Sequence, residues 1–209
     1  MYSGSRTTRM IRRSALERPL FEEPSSACER PDPWTGPKGF MFGGMALPTK
    51  LELGHQYYEA ASLLVDAIKR DELEDYRLAN PVLYLYRHWL ELALKSLIGT
   101  DAHGHDLGQL ASEFESTMRK TTGSVLPSLI ARRVKEVAAI DPNSTAFRYA
   151  ENRDRITKRD VSVDGEIYVN LNHLREAMEA LHVVFVNLAS GSDGHPNLVV
   201  EDEGDEAEC

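Results

Sequence analysis

Five polar side chains share one face of a helix that the sequence predicts over residues 81–98. These residues, which we call the polar stripe, are Tyr84, Arg87, His88, Glu91 and Lys95. At about 100° per residue, the five positions fall within a sector of roughly 100°. The rest of this helix is apolar, as is typical of a helix at the centre of a domain. Arginine, histidine and tyrosine at these positions favour a binding site or an interface, while a solvent-exposed face explains the pattern equally well. Both interpretations stay open.

The charges of the polar stripe can neutralise one another. Glu91 lies one turn after Arg87 and one turn before Lys95, and each such pair contributes only about 0.2–0.5 kcal/mol on an exposed helix. Burying an unpaired ion is costly, so these charges must be solvated, paired or facing a partner. We predict that the polar stripe binds RNA or a protein partner.

A second group of candidate binding residues lies between positions 147 and 159, where basic and aromatic side chains alternate. Arg148, Tyr149, Arg153 and Arg155 have the composition that stacks on bases and neutralises phosphates in single-stranded RNA. Acidic residues at positions 151, 154 and 160 dilute this character, so a solvated turn is the alternative interpretation. We predict these four residues as binding RNA or a partner.

Two histidines, His103 and His105, flank a glycine ahead of another predicted helix, and paired imidazoles can bind zinc. The sequence offers no nearby cysteine and no clear third ligand. It also holds no glycine-rich phosphate loop, GxSxG elbow or HExxH motif. We therefore predict no metal and no cofactor, and His105 is a further candidate for binding RNA or a partner.

Helical periodicity and capping residues predict four to five helices between residues 50 and 190. The first follows a capping box formed by Thr49 and Glu52. The second begins at Asn80-Pro81, and the third begins near Asp106. The fourth covers about residues 127–139, and the last covers residues 171–189. The fold class is therefore an all-α bundle.

Residues 141–170 break the helical pattern. Their apolar residues favour two short strands around a charged loop and an Asp164-Gly165 turn. We predict a small β-hairpin-like insert before the last helix.

The chain has 209 residues, 42% of them hydrophobic, which allows one cored domain with extended ends. We predict a partly disordered arm at residues 1–49 and an acidic disordered tail at residues 191–209. The net charge of the chain is −9, of which the tail carries −7 and residues 1–20 carry +4. The remaining residues 21–190 carry −6, which does not indicate an overall basic nucleic-acid binder. No membrane-spanning run or signal peptide is evident, and both cysteines lie in the predicted ends, so we predict a cytoplasmic protein.

Three segments resemble parts of the HEPN group of prokaryotic helical domains. Residues 84–99, YLYRHWLELALKSLIG, resemble the central helix of that group. Residues 104–110, GHDLGQL, resemble the short helix that follows it. Residues 141–154, DPNSTAFRYAENRD, resemble a segment found in uncharacterised bacterial proteins of this kind. The likeness covers about residues 50–189. It implies a HEPN-like homodimeric bundle that engages RNA in a bacterial defence or toxin setting.

The resemblance also points to a catalytic pair on the last helix. Members of the group that cut RNA use an arginine and a histidine separated by four to six residues, and Arg175 and His182 have six residues between them. Seven positions are about two helical turns, so both side chains lie on one face. His182 would take a 2′-hydroxyl proton and Arg175 would stabilise the phosphorane. Glu176 departs from the Asn, Asp or His of the group, which leaves a boundary histidine and a solvated arginine as the alternative.

Two function classes follow from these observations. The first is a HEPN-like protein that engages RNA, with a metal-independent endoribonuclease as its enzymatic form. The second is a non-catalytic module of the same fold that binds a cognate protein. The absence of a standard motif around Arg87 and His88, which are adjacent rather than spaced, favours the second class.

Overall fold

The computed structural model describes residues 47–99, 104–122, 128–149, 163 and 165–190. These residues form α-helices α1 (Lys50–Lys69), α2 (Asp75–Ile98), α3 (Leu107–Thr122), α4 (Ser128–Ile140) and α5 (Leu171–Ala189). Apart from Leu47, they belong to one compact unit that begins at Pro48. This part of the chain contains no strand, which confirms the predicted all-α class for the described residues.

The start of α1 is fixed by the predicted capping box. Thr49 Oγ1 accepts the backbone N–H of Glu52 at 3.2 Å, and Glu52 Oε2 accepts the backbone N–H of Thr49 at 2.7 Å. Two backbone donors are thereby satisfied at the helix end, where no carbonyl of the helix can reach them.

The start of α2 differs from the prediction. The helix begins at Asp75 after the N-cap Glu74, so Pro81 lies inside it rather than in its first turn. Proline there removes the N–H that would bond to the carbonyl of Arg77. The earlier turns persist because Leu78 packs against the core and because an acidic start suits the helix dipole.

The start of α3 and both ends of α4 and α5 agree closely with the prediction. The N-cap of α3 is Asp106, whose Oδ1 accepts the backbone N–H of Gln109 at 2.9 Å. Leu107, Leu110 and Phe114 form the buried face of α3. Helices α4 and α5 begin and end within one residue of their predicted ranges.

The predicted β-hairpin-like insert is not confirmed. Phe147 is buried in a turn after α4, and residues 165–170 form no strand. The rest of the insert, with Arg153 and Arg155, lies outside the described residues, as do His103, most of the predicted arm and the predicted tail.

Helix α2 is central because it contacts α1, α3 and α5. Trp89, which is 1% exposed, meets Phe185 of α5 at a ring-centroid distance of 6.0 Å. Phe185 in turn meets Phe114 of α3 edge-on at 5.8 Å. Full burial of one such large apolar side chain contributes about 1.5–3 kcal/mol, so this shared core holds three helices to α2 and to one another. Among the described helices, none is long and apolar enough to cross a membrane.

Helices α1 and α2 run antiparallel and approach closely at Gly54. A Cβ atom at this position would lie 3.3 Å from Leu92 Cβ and 3.5 Å from Trp89 Cδ1. We expect Gly54→Val to lower the free energy of unfolding by about 1–3 kcal/mol, because the added methyl groups overpack this contact. Urea denaturation measures the change. The control is Gln56→Val at an exposed position of the same helix, and an equal loss in both variants would contradict the prediction.

Candidate functional site

Two residues of the polar stripe are buried completely. The side chains of Arg87 and Glu91 are 0% and 2% exposed, and Arg87 Nη1 donates a hydrogen bond to Glu91 Oε2. The interpretation of these two residues as a solvent-exposed face is therefore wrong, and neither offers a surface to a partner. Their pairing is as predicted, and Lys95 Nζ donates to Glu91 Oε1 at 2.8 Å.

Arg87 also holds two segments that are distant in the sequence. Its Nε donates to the carbonyl of Asp141 at 3.3 Å and lies 3.5 Å from Asp141 Oδ2. Its Nη2 donates to the carbonyls of His105 and Pro142, the latter at 3.2 Å. Because His105 precedes α3 while Asp141 and Pro142 follow α4, one guanidinium ties α2 to the start of α3 and to the end of α4.

Asp141 organises the turn after α4, a role that the sequence analysis did not predict. Its Oδ1 accepts the backbone N–H of Thr145 at 2.7 Å and that of Ala146 at 3.1 Å. Its Oδ2 accepts no hydrogen bond in the described part of the chain and faces the charge of Arg87. The available signal was the run Asp-Pro-Asn-Ser, since an aspartate side chain readily accepts from the backbone of the turn that follows it.

Glu91 gathers three partners, because His105 Nδ1 also lies 2.8 Å from Glu91 Oε1. Burial alone would raise the pKa of Glu91, but hydrogen bonds from Lys95, His105 and Arg87 lower it below its ordinary value. The stability that this carboxylate contributes is present above its unfolded-state pKa of about 4.3 and is lost as the pH falls through the lowered pKa. The buried ion network consists of Arg87, Glu91, Lys95, His105 and Asp141.

The other two residues of the polar stripe belong to a row of rings. Tyr84 stacks on His88 at a centroid distance of 5.7 Å, and His88 meets Tyr57 of α1 edge-on at 4.5 Å. Arg148, in the turn after α4, places its guanidinium carbon 5.9 Å from the Tyr84 ring and 5.3 Å from the Tyr149 ring. We call these residues the aromatic ladder, in the order Tyr57, His88, Tyr84, Arg148 and Tyr149.

The predicted catalytic residues Arg175 and His182 both contact Tyr58 of α1. Arg175 Nη1 donates to Tyr58 Oη at 3.0 Å, and the His182 ring stacks on the Tyr58 ring at a centroid distance of 3.9 Å. Arg175 Nη1 also donates to Glu179 at 3.3 Å, and its Nε lies 3.7 Å from Asp66 Oδ1. Arg175 and His182 are partly exposed, so solvent reaches both.

A second histidine joins this group, and sequence reasoning missed it. His55 Nδ1 lies 2.9 Å from His182 Nε2, and His55 Nε2 lies 3.2 Å from Glu59 Oε1. The one local signal was the spacing of His55 and Glu59, which are one turn apart on α1. The contact with His182 joins residues 127 positions apart, which no local pattern reveals. We call His55, Tyr58, Arg175 and His182 the α1–α5 cluster.

The two imidazoles of the cluster are close enough to share a hydrogen bond. His55 Nδ1 and His182 Nε2 lie 2.9 Å apart and either can be the donor, depending on the tautomers, while His55 Nε2 lies 3.2 Å from Glu59 Oε1. Burial lowers the pKa of His182, and the positive charge that His55 can carry lowers it further. At neutral pH His182 is therefore a neutral imidazole, the form that a general base requires.

Acidification below pH 6.5 is expected to destabilise the fold through His182. Its pKa in the folded chain lies below the unfolded value of about 6.5, so the unfolded chain binds the extra proton first. The contribution of neutral His182 to the free energy of unfolding is fully present above the unfolded pKa and is lost as the pH drops through the lowered pKa. The free energy of unfolding falls by at most about 1.4 kcal/mol per pH unit for one such group. His88 shifts in the same direction, also mainly through burial, and adds to the slope.

Urea midpoints measured between pH 7.5 and pH 5 test this expectation, with His182→Gln giving a shallower pH dependence than wild type. The control is His173→Gln, because His173 is exposed on the same helix. Identical slopes for wild type and His182→Gln would contradict the assignment.

In the part of the chain that the structure describes, no group of three or more His, Cys, Asp or Glu side chains is placed to hold a metal ion. Comparison of the chain with protein-family models, with curated proteins and with solved structures finds no match. A function must therefore be inferred from the chemistry of the α1–α5 cluster, the buried ion network and the aromatic ladder.

Proposed function

We propose that this chain is a HEPN-like, homodimeric RNA-engaging protein that cleaves RNA without a metal at the α1–α5 cluster. The observation that carries the proposal is the meeting of Arg175 and His182 on the ring and hydroxyl of Tyr58. A cation and a neutral imidazole, both partly exposed, are thereby held on one surface. The bacterial defence or toxin setting rests on the resemblance of residues 84–99 and 104–110 to that group, and the cytoplasmic location stays a prediction from the sequence.

Each member of the cluster has a role in transfer of the phosphodiester. His182 takes the proton of a 2′-hydroxyl as that oxygen attacks phosphorus, and the 5′-oxygen leaves with a proton from solvent. Arg175 stabilises the added negative charge of the phosphorane. His55 and Tyr58 are positioning residues, since they orient the imidazole and the guanidinium. The products are a 2′,3′-cyclic phosphate and a 5′-hydroxyl.

The test is incubation of the purified full chain with total RNA in the presence of EDTA, followed by analysis of the new ends. We expect cleavage by wild type and loss of cleavage in Arg175→Ala and in His182→Ala. Matched controls are Arg132→Ala and His173→Ala, which change exposed residues of the same types on α4 and α5. Intact RNA with wild type, or cleavage that EDTA abolishes, would overturn the proposal.

The second candidate function is a non-catalytic module that binds another protein chain through α1 and α5. Two observations favour it. Arg175 is already paired with Asp66 and Glu179, as a structural arginine would be. Leu63 of α1 and Val183 of α5 are 69% and 49% exposed, so both helices offer apolar side chains to a second chain. Intact RNA, together with a lower mass in solution for Leu63→Glu and Val183→Glu, would favour this candidate.

A further inference from the structure

The aromatic ladder is a continuous surface built from three parts of the chain. Tyr57 comes from α1, Tyr84 and His88 come from α2, and Arg148 and Tyr149 come from the turn after α4. Each neighbour is within stacking or cation–π distance of the next, with separations of 4.5 to 5.9 Å. At its outer end the Tyr149 side chain is 53% exposed.

Arg148 gives the ladder a positive charge. Its Nε donates to the carbonyl of Ser144, which fixes the plane of the guanidinium. Among the described residues, the partners of the Arg148 side chain are the Ser144 carbonyl and the rings of Tyr84 and Tyr149, and none of them is a carboxylate. By contrast, Arg77 stacks on Tyr76 at 5.7 Å but is neutralised by Glu74 at 2.6 Å. The Arg148 surface is therefore suited to an anion in a way that the Arg77 surface is not.

The buried ion network holds this surface in place before any ligand arrives. Ser144 has a backbone φ of 60°, a left-handed conformation that a serine adopts only when its surroundings impose it. Asp141 imposes it by accepting the N–H groups of the next two turn residues, and Arg87 anchors Asp141 from α2. A preformed surface spends less binding energy on ordering its own side chains.

We infer that the aromatic ladder binds single-stranded RNA, with an unpaired base on Tyr149 and a phosphate at Arg148. An exposed tyrosine ring beside a guanidinium is the combination that recognises an unpaired base and its backbone phosphate, whereas a duplex keeps its bases stacked inside. The inference rests on the proposed function in that the ligand is RNA. It places RNA binding on a surface whose residues differ from those of the α1–α5 cluster.

The test uses the full chain carrying His182→Ala, so that RNA stays intact, and a fluorescent single-stranded oligoribonucleotide of about eight nucleotides, a length within the usual site size. Fluorescence anisotropy measures Kd over a range of salt concentrations. We expect Tyr149→Ala to weaken binding about tenfold or more with an unchanged salt slope. Arg148→Ala should weaken binding and reduce the magnitude of the slope by about 0.7, the loss of one phosphate contact. Tyr149→Phe should bind as the His182→Ala parent does.

The matched controls are Tyr76→Ala and Arg77→Ala, which remove the neutralised cation–π pair and should leave Kd unchanged. Equal binding by Tyr149→Ala, Arg148→Ala and their parent would overturn the inference while RNA engagement stands. Equally tight binding of the same strand in a duplex would overturn the preference for single strands. No RNA binding at all would overturn the inference and the proposed function together. Ladder-dependent binding without cleavage would support the inference and remove only the catalytic proposal.

Discussion

Replacing Glu91 with alanine is expected to lower the free energy of unfolding by about 3–5 kcal/mol, one of the two largest effects expected for this chain. The substitution leaves the guanidinium of Arg87 buried without its carboxylate, and it removes the shared partner of Lys95 and His105. An unpaired charge in the interior costs far more than an exposed ion pair contributes. Urea denaturation followed by circular dichroism measures the loss.

The matched control is Glu59→Ala on α1. Glu59 also pairs with a basic residue one turn away, His55 at 3.2 Å, but its side chain is 59% exposed. We expect a change within about 1 kcal/mol, as for other surface pairs. A difference between the two variants of less than about 1 kcal/mol would contradict a special role for the buried ion network.

Replacing both charges at once separates the pair from its surroundings. The double variant Arg87→Met with Glu91→Leu nearly keeps the side-chain volume and leaves neither charge of the pair buried without the other. In other proteins, replacing a buried ion pair by apolar residues of similar volume is often neutral for stability. Here we expect only partial recovery relative to Glu91→Ala. The reason is that Arg87 also donates to the carbonyls of Asp141, His105 and Pro142 and faces the Asp141 carboxylate, and all of these contacts are lost.

The helices were predictable because the signals that set them are local. Capping by Thr49 and Asp106 depends on side chains three residues from the N–H groups that they accept, so the sequence displays both partners. The start of α2 was predicted wrongly because the local signal of Asn80-Pro81 competes with the packing of Leu78, which is tertiary. Proline is favoured in a first turn, but burial of an apolar residue upstream can outweigh that preference.

The polar stripe illustrates what periodicity leaves open. Spacing placed Arg87, Glu91 and Lys95 on one side of the helix, and their mutual pairing followed from it. Whether that side met water or protein depended on the segment around Asp141, which is 54 positions away from Arg87 in the sequence. The same holds for His55, since helical spacing relates it to Glu59 but not to His182.

His182→Ala is expected to slow RNA cleavage about 10²–10⁴-fold, the usual contribution of a general base. Arg175→Ala should also slow it, and the double variant should lose less than the product of the two single losses, because both residues act on one transition state. Melting temperatures taken alongside show whether a loss reflects unfolding, since Arg175 also ties α5 to Tyr58 and Asp66. Multiplicative losses would indicate separate roles.

The pH profile of cleavage distinguishes a base from a merely structural histidine. Because burial and the charge of His55 lower the pKa of His182, the rate should stay level as the pH falls to about 6.5 and decline only below it. In His55→Gln the neighbouring positive charge is absent, so the pKa of His182 rises and the decline should begin at a higher pH. A structural role for His55 would lower the rate at every pH by one factor and leave the midpoint of the acid limb unchanged. A shifted midpoint therefore assigns proton transfer to His182 and the tuning of its basicity to His55.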